Sequence, residues 1–185
     1  MTVLDLPLSK YVLRIAGIVP ESYVDGPGIR YTIFVQGCPH HCVGCHNPDT
    51  WDFFGGSLLT GEELFKNIAC AKQDNPYLEG VTFSGGEPFS QAHALMAVAA
   101  KIKTLPLNLV VYTGYTLEQL VKVPYATDLL EYVDYLIDGP FMQEKKSLSL
   151  PFRGSTNQRI RERPEIEQFL MVQAKITPVL TIHSK

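Results

Sequence analysis

Tyr31-Thr32-Ile33-Phe34-Val35-Gln36-Gly37-Cys38-Pro39-His40-His41-Cys42-Val43-Gly44-Cys45-His46-Asn47 is the stretch on which the reading of this chain turns. Its first residues are β-branched and aromatic, the composition of a buried strand. Three cysteines follow at once, Cys38, Cys42 and Cys45, in the spacing C-x3-C-x2-C. Thiolates this close, in a chain with no sign of secretion, point to metal ligation rather than to disulfides. A four-iron four-sulfur cluster ordinarily takes four thiolates. Three from one loop would leave an iron free to hold another ligand. Two other readings fit the same spacing. One is a zinc site completed by His40, His41 or His46. The other is an electron-transfer cluster completed by Cys70, although a lone cysteine near a helix end is more often a small buried hydrophobe.

Working outward, strand-like runs alternate with helical ones. Thr60-Gly61-Glu62-Glu63 is a capping-box pattern that opens a helix with Leu64, Phe65 and Ile68 on one face. Gly80–Phe83 reads as a short buried strand. Ser90 is placed to cap a helix running to about Lys103. Asn108–Tyr112 is the next strand, then a helix capped by Thr116 with Leu117 and Leu120 as its apolar pair. A short helix is expected over Thr127–Tyr132 and a strand over Val133–Ile137. Val12–Val19 is expected to add an edge strand, Glu165–Ala174 a helix, and Val179–His183 a last strand. Arg153–Gln158 is polar and turn-like.

This alternation implies an α/β fold with mostly parallel strands joined by right-handed crossovers. At 185 residues the chain is short of the roughly 250 that a full eight-fold barrel uses, so a partial βα barrel or open curved sheet is expected. One domain over residues 1–185 is expected, with its core at about 12–160.

Composition narrows the function classes. Hydrophobic residues make up 45% and charged ones 19%, a globular balance. The net charge of −3 gives no basic footprint for nucleic acid. No apolar run approaches the roughly 20 residues that span a bilayer, and Met1–Asp5 carries no secretory signal. A reducing, cytoplasmic setting is expected, one in which thiolate ligation persists.

Each of the four strands runs straight into a polar or glycine-rich segment: the cysteine loop, Ser84-Gly85-Gly86-Glu87-Pro88, Thr113-Gly114-Tyr115, and Asp138-Gly139-Pro140-Phe141. In parallel α/β folds these ends gather on one rim, where ligands bind. Glycine pairs such as Gly85-Gly86 let a ligand approach the backbone, and Glu87 is placed to accept hydrogen bonds from an ammonium. A plain strand-to-helix turn explains the same residues, and the adjacent cysteine loop tips the balance toward binding. Asp25-Gly26-Pro27-Gly28 reads as a tight turn, and the Arg30 after it calls for a carboxylate partner. Trp51, Phe53 and Phe54 read as packing, and His93, within an apolar helix, as a packed or surface histidine.

The cysteine spacing followed by a Gly-Gly-Glu-Pro strand end resembles the radical S-adenosylmethionine superfamily. Asp25-Gly26-Pro27-Gly28-Ile29-Arg30, Phe34–Cys38 and Cys45-His46-Asn47-Pro48-Asp49-Thr50-Trp51 resemble its glycyl-radical activating enzymes. Thr113-Gly114-Tyr115, Leu136–Phe141 and Leu150–Arg159 resemble the branch that serves anaerobic ribonucleoside-triphosphate reductase. The resemblance covers roughly Asp25–Arg159. It implies that Cys38, Cys42 and Cys45 hold three irons of a 4Fe-4S cluster, and that S-adenosylmethionine chelates the fourth through its amine and carboxylate. Ser84, Gly85, Gly86 and Glu87 would fix the methionyl ammonium. Gly44, Cys45 and His46 would flank the nucleoside, with Thr113 and Asp138 on the same rim. Many members carry an aromatic residue where this chain has Gly44, which leaves His46 to pack adenine. One-electron reduction of the sulfonium would release a 5′-deoxyadenosyl radical that takes hydrogen from a backbone glycine of a partner enzyme. The implied partners are that glycyl-radical enzyme and a reducing electron-transfer protein.

Overall fold

The computed structural model describes residues 6–176. They form a seven-stranded mixed sheet: β1 (Val12–Ser22), β2 (Ile29–Val35), β3 (Ser57–Thr60), β4 (Leu78–Gly85), β5 (Asn108–Tyr112), β6 (Tyr135–Asp138) and β7 (Arg159–Glu162). The helices are α1 (Gly61–Asp74), α2 (Ala92–Ile102), α3 (Leu117–Leu120), α4 (Ala126–Leu130) and α5 (Arg163–Ile176). Spatial order is β3-β1-β2-β4-β5-β6-β7. The middle four strands, β2, β4, β5 and β6, are parallel and rise in chain order. Right-handed crossovers that always advance in one direction put their helices on one face. Accordingly α1 packs on α2, and α2 on α4.

Burial follows from this layering. Leu13, Ile15, Ile33, Val81, Phe83, Leu109 and Val111 face the helices, where Leu64, Ile68, Leu95, Val98 and Leu129 meet them. Ala94–Ala99 is buried all round because α2 is covered by the sheet and by a helix on either side. The opposite face of the sheet is covered too, at its lower end, by the turn before β2. An added Cβ at Gly26 would lie 3.1 Å from Val110 and 3.4 Å from Arg30, so only glycine, at φ +132°, lets the turn lie flat on the strands.

Arg30 is fully buried there, and its partners are neutral oxygens instead of the expected carboxylate. Its guanidinium donates to Thr82 Oγ1 at 3.1 Å, Val81 O at 2.6 Å and Pro27 O at 3.2 Å, and to Asn108 Oδ1. Burial lowers its pKa to about 10, against the pull of Glu79. The guanidinium donors are met by a threonine hydroxyl, the Asn108 side-chain oxygen and the carbonyls of Pro27, Val81 and Asn108.

Most expected elements are present, with physical reasons for the differences. Thr60 caps α1 in a reciprocal box with Glu63. Val12–Val19 lies in β1, which runs on to Ser22 and is interior, because the short β3 pairs along its outer side. α2 starts at Ala92 rather than after Ser90, since Pro88–Gln91 forms a 3-10 turn with Glu87 capping Phe89 N. The turn-like Arg153–Gln158 leads into β7, which pairs antiparallel with β6. Cys70 is exposed on α1, not buried. The strand expected at Val179–His183 lies outside the described residues.

Candidate metal centre and ligand cavity

The register of the parallel strands brings their carboxyl ends level. Val35 pairs with Gly85, Phe83 with Val111, and Tyr112 with Ile137. All four strand-end motifs therefore reach one cavity of about 700 Å³. Cys38, Cys42, Cys45 and His46 line it together with Ser84, Gly85, Gly86, Thr113, Gly114 and Gly139. Gly44, Glu87 and Asp138 do not line it: Gly44 is exposed, next to Cys45 in sequence, and Glu87 and Asp138 are buried.

The cysteine loop is held down at both ends. Gly37 N donates to Thr50 O at 2.8 Å and Cys38 N to Trp51 O at 3.1 Å. The His41 ring stacks on Trp51 with centroids 4.9 Å apart. His41 takes φ +49° to turn the chain between Cys38 and Cys42. All three thiols are free. Burial pushes the Cys38 and Cys42 thiols up, while the His40 and His41 amides favour the Cys38 thiolate and the Phe141 amide that of Cys42. Asn47 N donates to Cys45 Sγ at 3.4 Å.

Amides aimed at the sulfurs of Cys38 and Cys42, whose thiols burial shifts toward the neutral form, fit a group whose positive charge would favour the thiolates. Among the described residues, no three His, Cys, Asp or Glu side chains converge closely enough for a single metal ion. Three thiols from one loop, lining one cavity with backbone amides directed at two of their sulfurs, are a donor set that fits an iron–sulfur cluster.

The two glycines of β4's end are sterically required. A Cβ at Gly85, φ +96°, would lie 2.6 Å from Val35 N, and one at Gly86 would enter the Gly37 carbonyl. Gly86 N donates to Val35 O and Glu87 N to Gly37 O, both at 2.8 Å. Glu87 itself is turned inward and fully buried. Its carboxylate accepts Phe89 N at 3.0 Å, Gly114 N at 2.9 Å, Thr113 Oγ1 at 2.9 Å and His40 Nε2 at 2.8 Å. A ligand ammonium would have to displace one of these donors to reach it. Asp138 is likewise occupied: it accepts Leu117 N at 2.7 Å, at the start of α3, and Arg159 Nε at 2.9 Å. Gly44, at φ +73°, leaves room for the Gln143 side chain, which an added Cβ would strike.

The far wall of the cavity was not anticipated. It is the segment from Ser147 to Gly154, between β6 and β7. Gly154 packs against Phe141 and His46, whose rings lie 4.9 Å apart. The signal was loop length. A connection of about twenty residues inside a compact fold usually carries function.

Three free thiols that share one cavity with the glycine-rich strand ends suit an iron–sulfur protein. Residues 24–161 match the family described as 4Fe-4S single cluster domain. The chain belongs to the anaerobic ribonucleoside-triphosphate reductase-activating protein family. The protein of that name from Vibrio cholerae is 40% identical over 76% of this chain and 92% of its own length. That from Escherichia coli K12 is 33% identical over 75% and 92%. A pyruvate formate-lyase-activating enzyme from Clostridium pasteurianum is 41% identical over 63% of this chain and 50% of its own. Among solved structures, QueE from Escherichia coli matches 57% of this chain and 54% of its own at a TM-score of 0.43 and 20% identity, too partial a likeness to argue from.

Proposed function

We propose that this chain is a radical S-adenosylmethionine activase that installs a glycyl radical in anaerobic ribonucleoside-triphosphate reductase. The observation that carries the reading is the convergence of three free thiols and three further strand ends on one cavity. Cys38, Cys42 and Cys45 would hold a 4Fe-4S cluster through three irons. A cluster bound there and reduced would supply the one electron needed to cleave the sulfonium of S-adenosylmethionine, giving methionine and a 5′-deoxyadenosyl radical that would take hydrogen from a partner glycine. The chain's own contribution is orientation and exclusion of water. Backbone at Ser84, Gly85 and Gly86 would receive the methionyl ammonium, with Glu87 bracing that turn from behind. Gly44, Cys45 and His46 would flank the nucleoside, and Thr113 and Asp138 would order the neighbouring strand ends.

The sheet is read as an incomplete βα barrel forming a single domain, whose open side would admit the glycine-bearing loop of the reductase. The setting is read as cytoplasmic, with a reducing electron-transfer protein as donor. No helix among the described residues is long and apolar enough to cross a membrane.

The test is iron and sulfide analysis of protein prepared anaerobically, then electron paramagnetic resonance after reduction with S-adenosylmethionine and the reductase. A glycyl doublet is the expected result. Zinc without iron, in protein made with ample iron, overturns the reading. The similarity to the Clostridium pasteurianum enzyme favours a second target. A doublet formed only on pyruvate formate-lyase would move the assignment there.

A further inference from the structure

Arg153 stands apart from the other arginines whose contacts are known. Arg159, Arg161 and Arg163 each pair with a carboxylate. Arg30 is surrounded by strand oxygens, and Arg14 donates to the carbonyls of Phe54 and Gly55. Arg153 lines the cavity that holds the three thiols, yet it has no ion pair among the described residues. Among the described residues its one hydrogen bond runs from Nη1 to Gln158 O at 3.3 Å, and its Nε is buried without a partner there.

The loop that carries it is built to hold it still. Gln158 Oε1 accepts Gly154 N at 2.9 Å and Ser155 N at 3.2 Å, while Gln158 Nε2 donates to Gly139 O at 3.2 Å. Asn157 Nδ2 donates to Pro140 O at 2.7 Å. Phe152, just before Arg153, takes φ +57°, an unusual conformation for a bulky residue. The one carboxylate on the cavity wall, Asp25, already accepts Ser22 Oγ at 2.6 Å. A guanidinium fork held on the wall of an open cavity, with most of its donors unused, is matched by a carboxylate.

We propose that Arg153 is an anion-recognition residue, taking a carboxylate of a molecule that enters this cavity. Resting on the function proposed above, two sources offer one: the methionyl end of S-adenosylmethionine, or an acidic group of the reductase segment bearing the glycine. The chemistry is shared, and the experiment separates the sources. Binding of S-adenosylmethionine and of decarboxylated S-adenosylmethionine is measured for the anaerobic holoprotein and for its Arg153→Gln and Arg153→Lys variants. Binding of the reductase is measured for the same three proteins.

If the small ligand supplies the carboxylate, Arg153→Gln loses about tenfold or more for S-adenosylmethionine and nothing for the decarboxylated form. Arg153→Lys then falls between. If the reductase supplies it, both nucleoside affinities stay put and reductase binding falls by about tenfold. Iron content and the visible spectrum, unchanged in the variants, show that the site survives substitution. Unchanged affinities for all three molecules overturn the assignment of Arg153 alone. Failure of the unsubstituted protein to bind S-adenosylmethionine strikes at the activase reading instead, and the reductase measurement then decides Arg153 by itself.

Discussion

His40 Nε2 lies 2.8 Å from Glu87 Oε2, so a residue inside the cysteine loop is bonded to the acid of the Gly-Gly-Glu strand end. The same carboxylate accepts Thr113 Oγ1 and Gly114 N from the end of β5. Tyr115 then packs edge-on against the His40 ring, with centroids 4.4 Å apart. Three strand ends are thus joined at one buried carboxylate. The cysteines owe part of their placement to a group that touches none of the cavity.

From this relationship, Glu87→Gln should destabilise the fold by about 1–3 kcal/mol. The amide keeps the size, but its NH₂ must face donors that the carboxylate oxygen accepted. His40→Ala should cost less, since Glu87 retains its other donors. Urea unfolding of both variants checks the order. A Glu87→Gln protein as stable as the parent would show that the buried acid holds nothing together.

Ligand counting gives the second prediction. Cys38→Ala, Cys42→Ala and Cys45→Ala should each lose most of the bound iron, from about four per chain in the parent. Cys70→Ala should keep it, because Cys70 is exposed on α1 and absent from the cavity wall. Iron and sulfide assays with visible absorption decide it. Iron lost from the Cys70→Ala protein would make Cys70 a fourth ligand and close the vacant corner.

Crowding of glycines gives the third. A Cβ at Gly86 would enter the Gly37 carbonyl, part of a backbone that cannot swing aside, and Gly86→Ala should cost about 1–3 kcal/mol. A Cβ at Gly114 would strike the His40 ring. Gly114→Ala should therefore be damaging alone and nearly harmless in a His40→Ala background. Thermal melts of the two single variants and the double close that cycle. Additive losses would mean that Gly114 and His40 do not meet.

The strand-end rim was legible because each motif follows directly on a β-rich run, and strand direction then dictates where the ends gather. The capping box at Thr60 was legible for a similar reason: its partners are three residues apart. Glu87 was legible as an acid beside glycines but not as a hub, since Thr113 and His40 lie 26 and 47 residues away. The antiparallel edges β3 and β7 are four residues each, too short for alternation to declare itself. Arg30 misled because a cation invites a carboxylate, whereas hydroxyl, amide and carbonyl oxygens of the adjoining turn and strands serve it as well. Arg153 could be quoted as part of a turn-like segment, but that its guanidinium stays unpaired depends on where the 153–158 loop is strapped.

The last prediction concerns acid. Glu118, next to the start of α3, meets Arg159, which also holds Asp138 at the end of β6. Hydrogen bonds from Arg159 lower the Glu118 pKa from 4.5 to about 2. Between those values the unfolded chain binds the proton and the folded chain does not, so stability is lost as pH falls through that window and is fully present above it. The Glu118 side chain is 56% exposed, so solvent screening holds the effect below about 1 kcal/mol. Glu118→Gln should therefore be slightly less stable than the parent at pH 6, with the gap closing toward pH 2. Urea midpoints for both proteins across that range, at low salt, measure it. A gap that stays constant with pH would mean that the Arg159 contact does not set the ionisation of Glu118, and that this tie between α3 and the β6 end adds nothing to the rim.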